Sequence, residues 1–178
     1  MQETQRCKTT IQGLLDFSRE KKPEKVDANI NTVIERSLAL MDNEFLIKRI
    51  QIKKHLDPAL INFQLDDNQI EQVVINVLLN AVQAIEEKGI ISIRSGMDVE
   101  NDMAIIKIQD NGYGIPQDKL KKIFEPFYTS RAQGTGLGLA VVRAVAEAHN
   151  GQAWVKSILG YGSTFGIRLP LAEVKGIE

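Results

Sequence analysis

The 178 residues carry 22 Lys and Arg against 23 Asp and Glu, a net charge of −1, so no overall basic field recommends nucleic acid as a partner. At 43% hydrophobic the chain can build a core and is unlike a disordered one, and its length suits one ordinary domain with an appendage. No apolar run approaches the roughly 18 to 20 residues of a membrane span. The first residues lack a signal peptide's apolar core, and the single cysteine, Cys7, excludes an internal disulfide and suits a reducing compartment, so cytoplasmic placement is expected.

In chain order, residues 4–20 read as a helix, with Ile11, Leu14, Leu15 and Ser18 at helical spacing. A charged cluster around Pro23 ends it and forms a linker. Asp27 or Asn29 can cap a second helix reaching about Phe45. Ile50 to Leu56 and Leu60 to Leu65 read as strands, and Asp66, Asp67 and Asn68 offer caps for a long helix that runs to about Lys88 and stops at Gly89. Two alternating segments follow, Ile90 to Met97 and Met103 to Gln109. Pro116 opens a short helix through Ile123. A Gly-rich stretch, Gln133 to Gly138, leads into a helix ending near His149, and Gln152 to Ile158 and Thr164 to Leu171 are the last strands. Hairpins interleaved with separate helices predict an α+β sandwich, with helices layered on one face of a mixed sheet.

The long helix is the most informative element. Between Gln72 and Ile85 its only polar residues are Gln72, Asn76, Asn80 and Gln83, spaced four, four and three apart. At about 100° per residue they form one narrow stripe on a helix that is otherwise apolar. Buried amides cost free energy unless hydrogen-bonded, so the seam suggests a ligand lying along it; the competing reading is that the asparagines satisfy backbone groups inside a core.

Two further segments bear on that choice. Asp110 closes a strand and is followed by Gly112 and Gly114, which permit a tight turn and close backbone approach to a flat ligand. A carboxylate at a strand end can accept from an exocyclic amine and would repel a carbonyl, favouring adenine over guanine, although an Asp-Gly turn alone is commonplace. Gly134, Gly136 and Gly138 stand at the mouth of a helix, where side-chain-free backbone N–H groups suit phosphates. Their spacing fits neither a P-loop nor a dinucleotide fingerprint.

Together these segments resemble the catalytic and ATP-binding domain of sensor histidine kinases, in the group that also holds gyrase-, Hsp90- and MutL-type ATPases and shares the Bergerat two-layer fold. Asn76 and Asn80 look like the N box; Asp110, Gly112 and Gly114 the G1 box; Phe124 to Phe127 the F box; Gly134 to Gly138 the G2 box; and Gly162 to Phe165 the closing strand signature. The likeness spans about Val26 to Pro170, with residues 26–174 expected to be the catalytic domain. Residues 1–22 resemble the second helix of a dimerisation and phosphoacceptor hairpin.

The resemblance implies ATP and Mg²⁺ as cofactors, with the metal on the amide oxygen of Asn80 and Asn76 adding polar contact near metal and phosphates. Asp110 would bind the adenine amine, helped by Thr164 through water, with Gly112, Gly114 and Ile115 beside it. Phe127, Tyr128, Thr129, Ser130 and Arg131, with Gly134, Thr135, Gly136, Leu137 and Gly138, would cover the phosphates. Arg131 is the candidate for the γ-phosphate charge. The hydrolysing relatives carry a glutamate base where this chain has Asn76, which cannot accept a proton at neutral pH. Gln83 stands where many sensor kinases have a phosphate-contacting lysine. With the short lid, it resembles the nitrogen-regulatory branch.

The implied activity is transfer of the ATP γ-phosphate to a histidine and thence to an aspartate on a response-regulator receiver domain, in a protein dimerised through its hairpin helices. Only His55 and His149 are present, neither in the first helix, so the acceptor is expected upstream of Met1. An anti-sigma-type protein-serine kinase, a non-catalytic ATP-gated interaction module and an ATPase of the same superfamily are the alternatives. Trp154 is expected in the core or on the sheet surface, and Lys119, Lys121 and Lys122 on a solvated face.

Overall fold

A five-stranded sheet carries the molecule, and its apolar face decides where the helices lie. The computed structural model describes residues 22–131 and 134–171, so the helix expected over residues 4–20 lies outside them. The elements run β1 (Val26–Ala28), α1 (Ile30–Leu40), α2 (Asp42–Ile47), β2 (Gln51–His55), β3 (Phe63–Leu65), α3 (Asp67–Ala84), β4 (Ile90–Asp98), β5 (Met103–Asp110), α4 (Gly138–Ala148), β6 (Gln152–Ile158) and β7 (Gly162–Pro170). The strand order is β2-β4-β5-β7-β6, parallel only between β2 and β4, and β1 pairs with β3 in a separate ribbon. This is the expected mixed sheet of an α+β sandwich.

Alternation along the strands turns one side of the sheet into core. Ile91 and Ile93 of β4, Ile106 and Ile108 of β5, and Ile167 and Leu169 of β7 are 0–2% exposed, while Arg94 and Lys107 on intervening positions face solvent. Ile70, Val73, Val74, Val77 and Leu78 of α3 are fully buried in the same core, each side chain contributing about 1.5–3 kcal/mol. Trp154 lies on the sheet surface against Gly166, where any Cβ would meet the indole at 2.0 Å. Among the described residues no helix is long and apolar enough to cross a membrane.

Several elements differ from expectation. The single helix expected to Phe45 is interrupted at Met41, which ends α1 and from whose carbonyl α2 restarts. The short β1 carries no alternation long enough to announce it. The segment after Pro116 forms successive turns rather than a helix, its bonds running from Lys119 N to Pro116 O, Lys122 N to Lys119 O and Glu125 N to Lys122 O. Its start is pinned instead by Ile115 N to Ser157 Oγ and Gln117 Nε2 to Ser157 O.

The long helix also ends early, at Ala84 rather than Lys88. Tertiary contacts take over there: the Ala84 carbonyl accepts from Tyr113 N, and Gly112 comes so close that a Cβ would stand 2.5 Å from the same oxygen. Lys48 Nζ then serves the Ile85 and Glu86 carbonyls.

The other end of α3 is a buried polar cluster. Asp66 caps the helix through Gln69 N and also accepts from Glu24 N at 2.9 Å. Its own N–H donates to His149 Nε2 at 3.0 Å, so the ring proton sits on Nδ1 and donates to the Val145 carbonyl. The entering chain, α3 and the end of α4 thus meet at one carboxylate and one imidazole, both buried.

Candidate functional site

A cavity of about 630 Å³ lies between the C-terminal half of α3, the end of β5, the segment 113–131 and the start of α4. Because α3 buries Val73, Val74, Val77, Leu78 and Val82 in the core, its polar seam turns the other way. Asn76, Asn80 and Gln83 line the cavity from that seam.

At the buried end stands Asp110, only 3% exposed. Its Oδ1 accepts from Gly112 N at 2.9 Å and from Ser163 N at 3.3 Å, leaving the acceptor capacity of Oδ2 for an amine. Burial pushes this carboxyl above the ordinary carboxylate range, against the pull of the Gly112 and Ser163 amides. Ile115, Ile123, Leu139 and Phe165 supply apolar walls on which a flat ring can lie. Behind them Ser157 Oγ meets Ser163 Oγ at 2.9 Å and donates to the Gly162 carbonyl, tying the β6–β7 turn to the Asp110 loop.

At the open end Asn80 Nδ2 donates to the Asn76 carbonyl at 2.8 Å, which fixes the amide and turns Oδ1 into the cavity. Asn76 Nδ2 donates to the Gly138 carbonyl at 3.3 Å, joining the seam to the first turn of α4. No side chain caps α4, and its first residues, Gly138 and Leu139, line the cavity, so a helix N-terminus without a side-chain cap stands at the mouth. Gly136 has φ of +68°, and a Cβ there would sit 2.4 Å from the backbone of Phe127, so only glycine allows the two arms of the segment to cross. Arg131 reaches back over the mouth: Nη1 donates to Gln83 Oε1 and, at 3.4 Å, to Asn80 Oδ1, while Nε and Nη2 donate to the Tyr113 hydroxyl at 3.3 and 2.8 Å.

Most of the expected residues are brought together: Asn76, Asn80, Gln83, Asp110, Gly114, Ile115, Tyr128 to Arg131, Gly134, Thr135, Gly136 and Gly138 all line the cavity. Four do not. Gly112 lies behind Asp110 against Ala84, Phe127 is 56% exposed, and Leu137 is buried at 2%. Thr164 does not line the cavity and its neighbour Ser163 does: Phe165, Ile167 and Leu169 face the helices, so alternation puts Ser163 on the cavity side and Thr164 on the other face. Counting back by twos from Phe165 would have found it. Tyr113 and Lys119 also line the cavity without having been anticipated, Tyr113 being hidden as the variable residue between two glycines.

A divalent cation fits this donor set. Among the described residues no cluster of three or more His, Cys, Asp or Glu could hold a metal. The fixed Asn80 oxygen is a hard ligand already receiving a cationic group, suited to an ion that takes few protein ligands and completes its shell with phosphate and water.

Residues 65–173 match the family model described as histidine kinase-, DNA gyrase B-, and HSP90-like ATPase. The chain is 38% identical over 171 residues to the signal transduction histidine-protein kinase AtoS of Escherichia coli (strain K12), covering 96% of this chain and 28% of AtoS. It thus spans under a third of that relative's length. Its fold superposes on the catalytic domain of histidine kinase ThkA with a TM-score of 0.75 and 30% identity, over 83% of this chain and 96% of that one. ThkA in complex with response regulator protein TrrA gives 0.82 and 27%, over 98% and 50%. Full-length ShkA in complex with AMPPNP gives 0.83 and 25%, over 92% and 35%.

Proposed function

The chain belongs to the histidine kinase-, DNA gyrase B- and HSP90-like ATPases, and on that premise we propose that it binds Mg·ATP and serves as the catalytic portion, residues 26–174, of a two-component sensor kinase. The observation that carries the reading is one cavity with a buried carboxylate at one end and a fixed amide oxygen at the other. Asp110 Oδ2 accepts the adenine amine, and the apolar walls hold the ring. The α4 N-terminus and Arg131 take the phosphates. Asn80 would hold the metal, which would supply neutralisation of phosphate charge when bound, and the remaining residues position the γ-phosphate for an incoming imidazole.

The acceptor comes from outside the described residues. His149 is buried with both ring nitrogens engaged, and His55 lies on β2 at the sheet edge. A hairpin formed with residues 1–22 would supply the acceptor and the dimer contact, and a receiver domain would take the phosphoryl group onward; the complex of ThkA with TrrA supports that partner. Asn76 supports transfer over hydrolysis, because its amide donates to Gly138 O and cannot act as a base for water.

The test is calorimetry with ATP and Mg²⁺, followed by incubation with labelled ATP and an acceptor hairpin supplied in trans. Saturable binding and acid-labile phosphohistidine on the hairpin are expected. The chain alone should remain unlabelled. Binding without transfer would reduce the proposal to an ATP-gated module.

A further inference from the structure

The Arg131 guanidinium is divided between two supports. Its Nη1 is aimed at α3, on Asn80 Oδ1 and Gln83 Oε1, while its Nε/Nη2 edge rests on the Tyr113 hydroxyl. A metal on Asn80 and a guanidinium on the same oxygen repel one another, since both are cations and would stand within a few ångströms in a partly buried site. Arg131 must therefore release the α3 side as Asn80 takes its metal. The opposite edge can keep its hydrogen bonds to the Tyr113 hydroxyl while the rigid group pivots on that oxygen.

We propose that Tyr113 is a positioning residue: its hydroxyl holds the Nε/Nη2 edge of Arg131 at the cavity mouth and serves as the pivot on which the rigid guanidinium turns as a whole, carrying Nη1 from Asn80 toward the terminal phosphate. The inference rests on the Mg·ATP reading above and names the residue that delivers its phosphate-binding cation. The tyrosine is well founded for this role. Its N–H donates to the Ala84 carbonyl at 3.1 Å and its carbonyl accepts from Gly160 N at 2.8 Å, so the main chain is held from both sides while the ring projects, 45% exposed, toward Arg131. An arginine on an exposed loop otherwise spends rotamer entropy each time it meets its ligand, and a preset edge removes part of that cost. The Arg131 main chain is steadied as well, its N–H bonded to Thr129 Oγ1 at 3.1 Å.

The experiment is a calorimetric comparison of ATP and ADP, both with Mg²⁺, for the wild type, Tyr113→Phe, Arg131→Ala and the double variant. Tyr113→Phe should weaken ATP binding about 3–10-fold, the worth of the lost hydrogen bonds, and ADP binding less than about twofold. In the Arg131→Ala background the same change should cost nothing further for ATP. Retained ADP binding shows that the variant is folded. Equal losses for both nucleotides, no loss for either, or an ATP penalty that persists without Arg131 would each overturn the role of Tyr113 while leaving the nucleotide site standing. Failure of the wild type to bind either nucleotide would remove the site itself, and this inference with it.

Discussion

The two ends of the cavity are built on different terms. At the purine end the polar contact is a carboxylate sunk to 3% exposure, oriented by two main-chain amides and backed by a pair of buried serines. At the phosphate end the contacts are side-chain amides on α3 and a guanidinium from a loop. Recognition of a base needs fixed geometry, which strand ends and main-chain hydrogen bonds provide. Moving a phosphoryl group requires charge that can relocate, which a long side chain over an uncapped helix provides. On the proposed reading, selectivity would fall to the sheet and phosphate chemistry to the helices and loop.

The contrast can be broken most sharply at Asn80. Asn80→Ala should lower ATP affinity about 100-fold in Mg²⁺ and much less in chelator, because the missing oxygen matters only to the metal; calorimetry with and without magnesium checks this. Asp110→Asn should cost about 1.5–3 kcal/mol of ATP binding in both conditions, a metal-independent loss that separates the two ends. The same variant should raise the urea midpoint at neutral pH. Burial lifts the Asp110 carboxyl, so its contribution to stability is complete below the ordinary carboxylate value and is lost as pH rises through the folded one. Removing the charge removes that loss.

A smaller effect sharpens the register of β7. Ser163→Ala should weaken ATP binding by about 0.5–1.5 kcal/mol, and Thr164→Ala should leave it unchanged, reversing the sequence expectation. The smallest lies far from the cavity. Burial holds His149 below its ordinary value of about 6.5, outweighing the Val145 carbonyl and Asp66, which favour the charged ring. A depressed histidine contributes stability that is present above that value and is lost as pH falls toward the folded one. Urea midpoints should decline between about pH 7 and pH 5.5 in the wild type, and less steeply in His149→Gln.

What the sequence disclosed follows the same division. The α3 seam, the strand ending in Asp110 and the glycines of the Gly-rich loop are periodic or conformational signals, and each appears where one-dimensional spacing put it. The misplacements arose where tertiary contacts outrank local preference. α3 gives up its last turn because Tyr113 N and Gly112 claim Ala84, a contact across 29 residues that no propensity encodes. The segment after Pro116 has helix formers but turns around the Ser157 anchor instead. At the start of β7 residue type points to Thr164, whereas the alternation set by the buried Phe165 turns Ser163 to the cavity.

The carboxylate that starts α3 also holds the amide of Glu24, so the incoming polypeptide is fastened to the helix that carries Asn80. Asn80 lies fourteen residues further along, about 21 Å of continuous helix. A pull on the chain before residue 24 would act on that hydrogen bond first and then on the β1–β3 ladder, which begins two residues later and ends at Leu65, next to the cap. In the Mg·ATP reading proposed above, a displacement of residue 24 would therefore be felt at Asn80, where the metal would be held.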